Sequence, residues 1–103
     1  MADRLADLPG GDLISAGLAD LPAGRESIGA YLVAIGATRL RRLGLPVPPG
    51  DALPTEAEIG LYRLLCRSEG SGAYSQYNSL IRQLVSFERA LEQRTQPRGE
   101  RPG

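Results

Sequence analysis

The densest group of side chains able to do chemistry is an arginine cluster formed by Arg39, Arg41 and Arg42. A guanidinium group binds phosphate through two parallel hydrogen bonds, so the cluster could contact an anion or the backbone of a nucleic acid. Arg39 and Arg42 are three residues apart and would share one face of a helix, which Arg41 need not join. Arginines near the end of a helix also stabilise its dipole and satisfy exposed carbonyl groups. The structural role is the simpler interpretation, and both stay open.

Two pairs of glutamates and one cysteine are the other candidates. Glu56 and Glu58 stand at the start of a predicted helix, where capping accounts for them. Glu88 and Glu92 are four residues apart, but two carboxylates without further ligands make a poor cation site, and we expect a solvated helix face. Cys66 lies in an apolar row, where we expect it to be buried as a small hydrophobic side chain. We therefore predict no catalytic residue and no metal ligand.

The residue types that are missing exclude most enzyme chemistry. The 103 residues include no His and no Lys, and they contain a single Cys. This composition leaves no His-activated nucleophile, no Schiff-base lysine, no disulfide within the chain and no Cys or His zinc cluster. Twelve acidic residues balance twelve arginines, whereas a dedicated nucleic-acid binder usually carries excess positive charge. The sequence predicts neither an enzyme nor a bound cofactor.

The pattern of apolar residues predicts a protein that is not membrane-bound. The longest stretch without a charge, residues 27–38, is twelve residues long, and about 20 are needed to span a bilayer. The first residues do not have the form of a signal peptide. A lone cysteine together with this start favours the cytoplasm. The use of Arg without Lys is typical of a GC-rich bacterial-like coding sequence.

Glycine and proline divide the chain into helical segments. We predict helices over about 12–21, 25–43, 55–69 and 72–94, with breaks near 22–24, 44–50 and 70–72. No run of alternating apolar and polar residues indicates a strand. The predicted fold is all-α, a small four-helix domain made of two αα-hairpins joined by the Pro-rich crossover at residues 45–50. Residues 1–11 form a flexible lead-in, residues 12–94 a single helical domain and residues 95–103 a disordered tail.

Local signals refine these boundaries. Asp12 is placed to cap the first helix, and the run that begins at Thr55 fits a capping box with Glu58. Gly29 and Gly36 fall inside the second helix, where each costs about 1 kcal/mol relative to Ala. We expect a backbone packed closely at these glycines or a bend, and the bend is favoured at Gly36. Gly44 suits a left-handed residue after the helix end.

The last predicted helix carries a long apolar row. Tyr77, Leu80, Leu84, Phe87 and Leu91 follow the 3, 4, 3, 4 spacing of a heptad seam, which Ile81 and Val85 widen. The third helix has a row formed by Ile59, Tyr62, Leu65 and Cys66, which Leu61 and Leu64 widen into a broad apolar arc. The other helices are too short to cover the long row completely, and we expect an interaction face there. Its predicted residues are Tyr74, Tyr77, Ile81, Leu84, Phe87 and Leu91.

These patterns lead to two functional hypotheses. The first is a small helical protein–protein interaction or regulatory protein without catalytic activity, which self-associates, as a dimer, through its last helix or binds another protein. The alternative is a nucleic-acid-associated helical protein that uses Arg39, Arg41, Arg42 and the basic tail. No membrane partner is expected.

Overall fold

The chain folds into helices without strands in the part that the structure describes. A computed structural model describes residues 5–50 and 53–95. A short 3-10 helix, Leu5–Asp7, precedes α1 (Gly11–Asp20), α2 (Ile28–Ile35), α3 (Ala37–Arg42) and α4 (Ala57–Glu69), and a 3-10 turn, Gly70–Gly72, leads into α5 (Ala73–Thr95). The all-α prediction is confirmed. The first four residues of the predicted lead-in and residues 96–103 of the predicted tail lie outside the described residues.

The predicted cap of the first helix and the predicted start of the second helix were wrong. The residue before α1 is Gly10, which has a φ of 75°, and Asp12 lies inside the first turn without capping it. The second helix begins at Ile28 rather than near Arg25, because the Ser27 hydroxyl accepts a hydrogen bond from the backbone N–H of Ala30 at 3.1 Å. An oxygen at this position satisfies an N–H group that has no partner within the helix, and so defines where the helix begins.

The second predicted helix is divided at Gly36. The helical conformation is interrupted there (φ −95°, ψ 15°), which separates α2 from α3. The Gly36 N–H donates to the Leu32 carbonyl, and the Leu40 N–H donates to the Gly36 carbonyl, so Gly36 ends one helix and begins the next. The helix is therefore interrupted at Gly36, where the sequence favoured a bend.

The predicted capping box at the start of α4 does not form. The residue before α4 is Glu56, which adopts a left-handed conformation with a φ of 53°, and no side chain caps this end. Thr55 is exposed and lies two residues before the helix. The helix starts at Ala57, which is buried in the core together with Leu61. Packing of this apolar side outweighs a capping interaction worth about 1 kcal/mol.

A single cluster of apolar side chains joins the helices. The α1 helix packs against α2, and α4 packs against both α2 and α5. Leu5 and Leu8, which precede α1, also contact this core. The closest helix pair is α1 with α2, because Gly17 and Gly29 face each other: a Cβ atom built on Gly17 would lie 2.1 Å from the Gly29 carbonyl oxygen. The largest side chains that are almost completely buried are Phe87, Ile14, Leu32, Leu40, Leu61, Leu65 and Val33.

Candidate functional site

The α4 helix has two apolar sides, and only one faces the core. Leu61 and Leu65 are fully buried, whereas Ile59 is 46% exposed and Tyr62 is 41% exposed. At about 100° per residue, Ile59 and Tyr62 share one side of the helix and the two leucines lie on another. The row predicted from the sequence joined residues from both sides. The structure separates them and leaves the isoleucine and the tyrosine in contact with solvent.

The outer side of α4 meets the first turns of α5. The rings of Tyr62 and Tyr77 pack edge to face, with centroids 6.1 Å apart and planes at 75°. Tyr74, one turn before Tyr77, is 68% exposed. These three tyrosines, with Ile59 and Glu58, line a shallow open concavity. We call this surface the tyrosine patch.

Electrostatic interactions link the side chains of the tyrosine patch. The pKa of Tyr62 is raised first by a hydrogen bond between its hydroxyl and the Cys66 thiol, and then by the electrostatic effect of that thiol. Burial, and then the negative charge of Glu58, raise the pKa of Tyr77. The hydroxyls of Tyr62 and Tyr77 therefore stay protonated at neutral pH.

Cys66 is exposed, so the prediction that it is buried was wrong. It follows Tyr62 by one turn and lies on the outer side of α4, whereas Leu65 occupies the inner side. The sequence placed both residues in one row. Neighbouring residues on a helix point about 100° apart, which accounts for the difference in their exposure.

The predicted interaction face on α5 is divided between the core and the surface. Leu84, Phe87 and Leu91 are buried within the chain, together with Leu80. Ile81 and Tyr77 are half-buried, and Tyr74 is exposed. The heptad row thus contributes its leucines and its phenylalanine to the core of this chain. Of the six residues predicted for the interaction face, only Tyr74 and Tyr77 line the tyrosine patch.

The arginine cluster is distributed among three different surroundings. Arg39 donates to the Glu92 carboxylate, with Nη2 at 2.6 Å from Oε1, and forms an ion pair that joins α3 to α5. Arg41 donates to the carbonyl oxygen of Pro48 in the proline-rich segment. Arg42 borders a shallow concavity that Arg39, Leu43 and Glu92 also line. Arg39 and Arg42 therefore share a surface, as their spacing indicated, while Arg41 faces elsewhere.

The two glutamates of α5 differ in exposure. Glu92 is exposed, whereas Glu88 is only 8% exposed, so the prediction that both lie on a solvated face was wrong for Glu88. Burial raises the pKa of Glu88, and the nearby charge of Arg39 partly opposes that increase. A helix position that faces the bend at Gly36 is enclosed by the neighbouring backbone, which the sequence pattern did not indicate.

Two other features were not found from the sequence. The first is the tyrosine patch itself, although the broad apolar arc on α4 was a signal that this helix has more than one apolar side. The second is a polar cluster between α1 and α2, in which Asp20 accepts hydrogen bonds from Arg25 at 2.9 Å and from Ser27 at 2.7 Å. These two hydrogen bonds lower the pKa of Asp20.

Metal-ligand clusters and membrane-spanning helices are both absent from the described residues. Within residues 5–50 and 53–95, no group of three or more acidic, Cys or His side chains is arranged to hold a metal ion. None of the helices in this part of the chain is long and apolar enough to cross a membrane. No known protein family, no curated protein sequence and no solved structure matches the chain.

Proposed function

We propose that this chain is a small helical interaction or regulatory protein without catalytic activity, and that it self-associates through the start of its last helix. The observation that supports this is the tyrosine patch, where Ile59, Tyr62 and Tyr74 expose large side chains next to one another. Isolated exposed apolar residues are normal on any protein, but adjacent ones on a concave surface are typical of interaction sites. Tyrosine is also among the residues that contribute most to binding at interfaces.

The charges around the patch favour a second copy of the chain as the partner. Glu58 lies on the α5 side of the exposed row of α4, where it acts on Tyr77. Arg63 lies on the opposite side, towards α2, where its charge acts on Tyr31. A two-fold axis that passes between Glu58 and Arg63 would place Glu58 of each copy opposite Arg63 of the other copy. An isologous contact of this kind requires a surface that is complementary to itself.

Self-association can be tested by light scattering over a series of concentrations. We expect the wild-type chain to form dimers at micromolar concentration and Tyr74→Asp to be monomeric at the same concentration. Ser75→Asp is the matched control, because it adds the same charge to the same turn of α5 at an exposed position outside the patch. It should still form dimers. Circular dichroism verifies that all three chains are folded.

A wild-type chain that stays monomeric at concentrations of several hundred micromolar, or a Tyr74→Asp chain that associates as well as Ser75→Asp, removes the patch as a dimer contact. Leu84→Asp is unsuitable for this test, because Leu84 belongs to the core and its replacement would unfold the chain.

The alternative proposal, binding of nucleic acid, receives less support from the arginine cluster. Arg39 is paired with Glu92 and Arg41 with the Pro48 carbonyl, so phosphate would have to displace both contacts. Titration with duplex DNA of mixed sequence at about 50 mM salt distinguishes the two functions, because a phosphate-binding protein loses affinity steeply as salt is raised. Absence of binding under these conditions would eliminate the alternative.

A further inference from the structure

Glu88 is a buried carboxyl group that the proposed function does not use. Its Oε2 atom fills the space beside Gly36, where a Cβ atom would lie only 2.8 Å away. Among the described residues, no side chain or backbone N–H donates a hydrogen bond to this carboxyl group. A buried charged group without such donors is costly, because it has lost the hydrogen bonds that water would provide.

One guanidinium group stands between two carboxyl groups at this point. Arg39 reaches across from α3 and binds Glu92, which follows Glu88 by four residues on α5. Side chains at this spacing are neighbours on a helix surface, about 6 Å apart at Cβ. The charge of Arg39 also acts on Glu88, although the effect of burial on the Glu88 pKa is the larger one. Movement over a few ångströms would transfer the guanidinium from one carboxyl group to the other.

Few other charged groups can influence Glu88. In α2 the titratable side chain is Tyr31, which packs against Gly60 of α4. The α4 helix faces the earlier turns of α5, where Glu58 acts on Tyr77. The other arginines of α3 are Arg41, which donates to the Pro48 carbonyl, and Arg42, which borders the concavity beside Glu92.

We propose that Arg39, Glu88 and Glu92 form a proton-operated latch between α3 and α5. While Glu88 carries its proton, the neutral carboxyl group stays beside Gly36 and Arg39 pairs with Glu92. When the proton leaves for solvent, the carboxylate needs a donor, and the Arg39 guanidinium moves from Glu92 to Glu88. The Arg39–Glu92 ion pair at the exposed end of the α3–α5 contact is then replaced by an Arg39–Glu88 ion pair nearer the bend at Gly36. The contact between α3 and α5 therefore depends on pH.

The latch can be tested by NMR on the full chain between about pH 3 and pH 9. We expect the side-chain carboxyl carbon of Glu88 to titrate above the ordinary pKa of a glutamate side chain, about 4.3. The side-chain Nε resonance of Arg39 should move with the same midpoint as Glu88. A Glu88 carbon that titrates at or below that ordinary value, or an Arg39 resonance that does not move with Glu88, would overturn the latch.

Three variants separate the latch from an ordinary buried acid. Glu92→Gln removes the competing carboxylate and should lower the Glu88 midpoint by about one pH unit, because the arginine is then held near Glu88 throughout. Glu69→Gln removes an exposed carboxylate at the end of α4 and should leave the midpoint unchanged. Glu88→Gln should abolish the Arg39 transition at the wild-type Glu88 midpoint. An unchanged Glu88 midpoint in Glu92→Gln, or an Arg39 transition that persists at that midpoint in Glu88→Gln, refutes the exchange of partners.

Discussion

Replacing Gly29 with alanine should destabilise the protein, although alanine is the better helix former. A Cβ atom at this position would lie 2.2 Å from the Leu13 carbonyl oxygen and 2.9 Å from the Gly17 nitrogen. Both obstacles are backbone atoms of α1, so no rotation of a side chain can relieve the overlap. To bring the new Cβ atom and the Leu13 carbonyl oxygen to an ordinary contact distance of more than 3 Å, α1 and α2 must separate by about 1 Å. This separation loosens the closest-packed helix pair.

The size of the effect follows from two opposing contributions at Gly29. Alanine gains about 1 kcal/mol of helix propensity over glycine. Inserting a group into a packed interior costs up to about 3 kcal/mol, and here the upper end applies because backbone must move. The net loss is about 2 kcal/mol in the free energy of unfolding, which lowers Tm by about 8–16 °C in a chain of this size.

Thermal unfolding followed by circular dichroism measures this loss. Gly72→Ala is the control, because Gly72 has a negative φ and a Cβ atom there meets nothing within 4 Å. That change should be neutral or should raise Tm, since alanine reduces the freedom of the unfolded chain. If Gly29→Ala unfolds at the wild-type temperature or above, the close approach of α1 and α2 is wrong.

Three further substitutions test individual interactions by thermal unfolding. Ser27→Ala should lower the free energy of unfolding by about 1 kcal/mol at pH 7 through loss of the cap. Because Ser27 also lowers the pKa of Asp20, part of this difference should disappear as pH falls through the Asp20 titration below about 4. Thr55→Ala should change stability by less than about 0.5 kcal/mol, since no capping box forms. Glu88→Gln should raise Tm at neutral pH and not below about pH 4, because burial raises the Glu88 pKa and ionisation therefore costs stability as pH rises.

The positions of the helices could be predicted because glycine and proline act locally. Gly24, Gly44 and Gly70 all have positive φ, at 74°, 95° and 57°, and each follows the end of a helix. Left-handed backbone is accessible to glycine at little cost, so these ends are specified by the residue itself. The close approach at Gly29 was predictable for a similar reason. A glycine inside a helix destabilises the helix, and this cost is offset where the absence of a side chain lets another backbone pack closely.

The orientation of α4 could not be read from periodicity alone, because this helix has two apolar sides. A count of apolar residues rates Ile59 and Tyr62 as highly as Leu61 and Leu65. Chemistry distinguishes Tyr62 from the leucines, because burial of a tyrosine hydroxyl without a hydrogen-bond partner is unfavourable and leucine carries no polar atom. Ile59 carries no polar atom either, so its exposure does not follow from its chemistry. The burial of Glu88 was not predictable in this way, since it depends on the bend at Gly36 lying against α5.

The burial of the α5 heptad row alters the geometry that self-association requires. A stable dimer buries about 800 Å² on each copy, which is more than a few side chains at one end of α5 supply. Ile81 and Val85 follow Tyr74 by seven and eleven residues, which places them within about 20° of it around the helix. An interface large enough for a dimer would therefore have to continue along α5 to Val85, which is exposed.

Substitution of Val85 tests how far such an interface extends along α5. Val85→Asp should weaken dimerisation at least about tenfold, because a charge buried at an interface without a partner costs more than 1.4 kcal/mol. Sedimentation equilibrium measures the dissociation constant, and the exposed Arg82→Gln, placed about 80° away from Tyr74 around α5, is the control. If Val85→Asp dimerises like the wild type while Tyr74→Asp does not, the contact is confined to the tyrosine patch, and the argument that the interface must extend to Val85 is wrong.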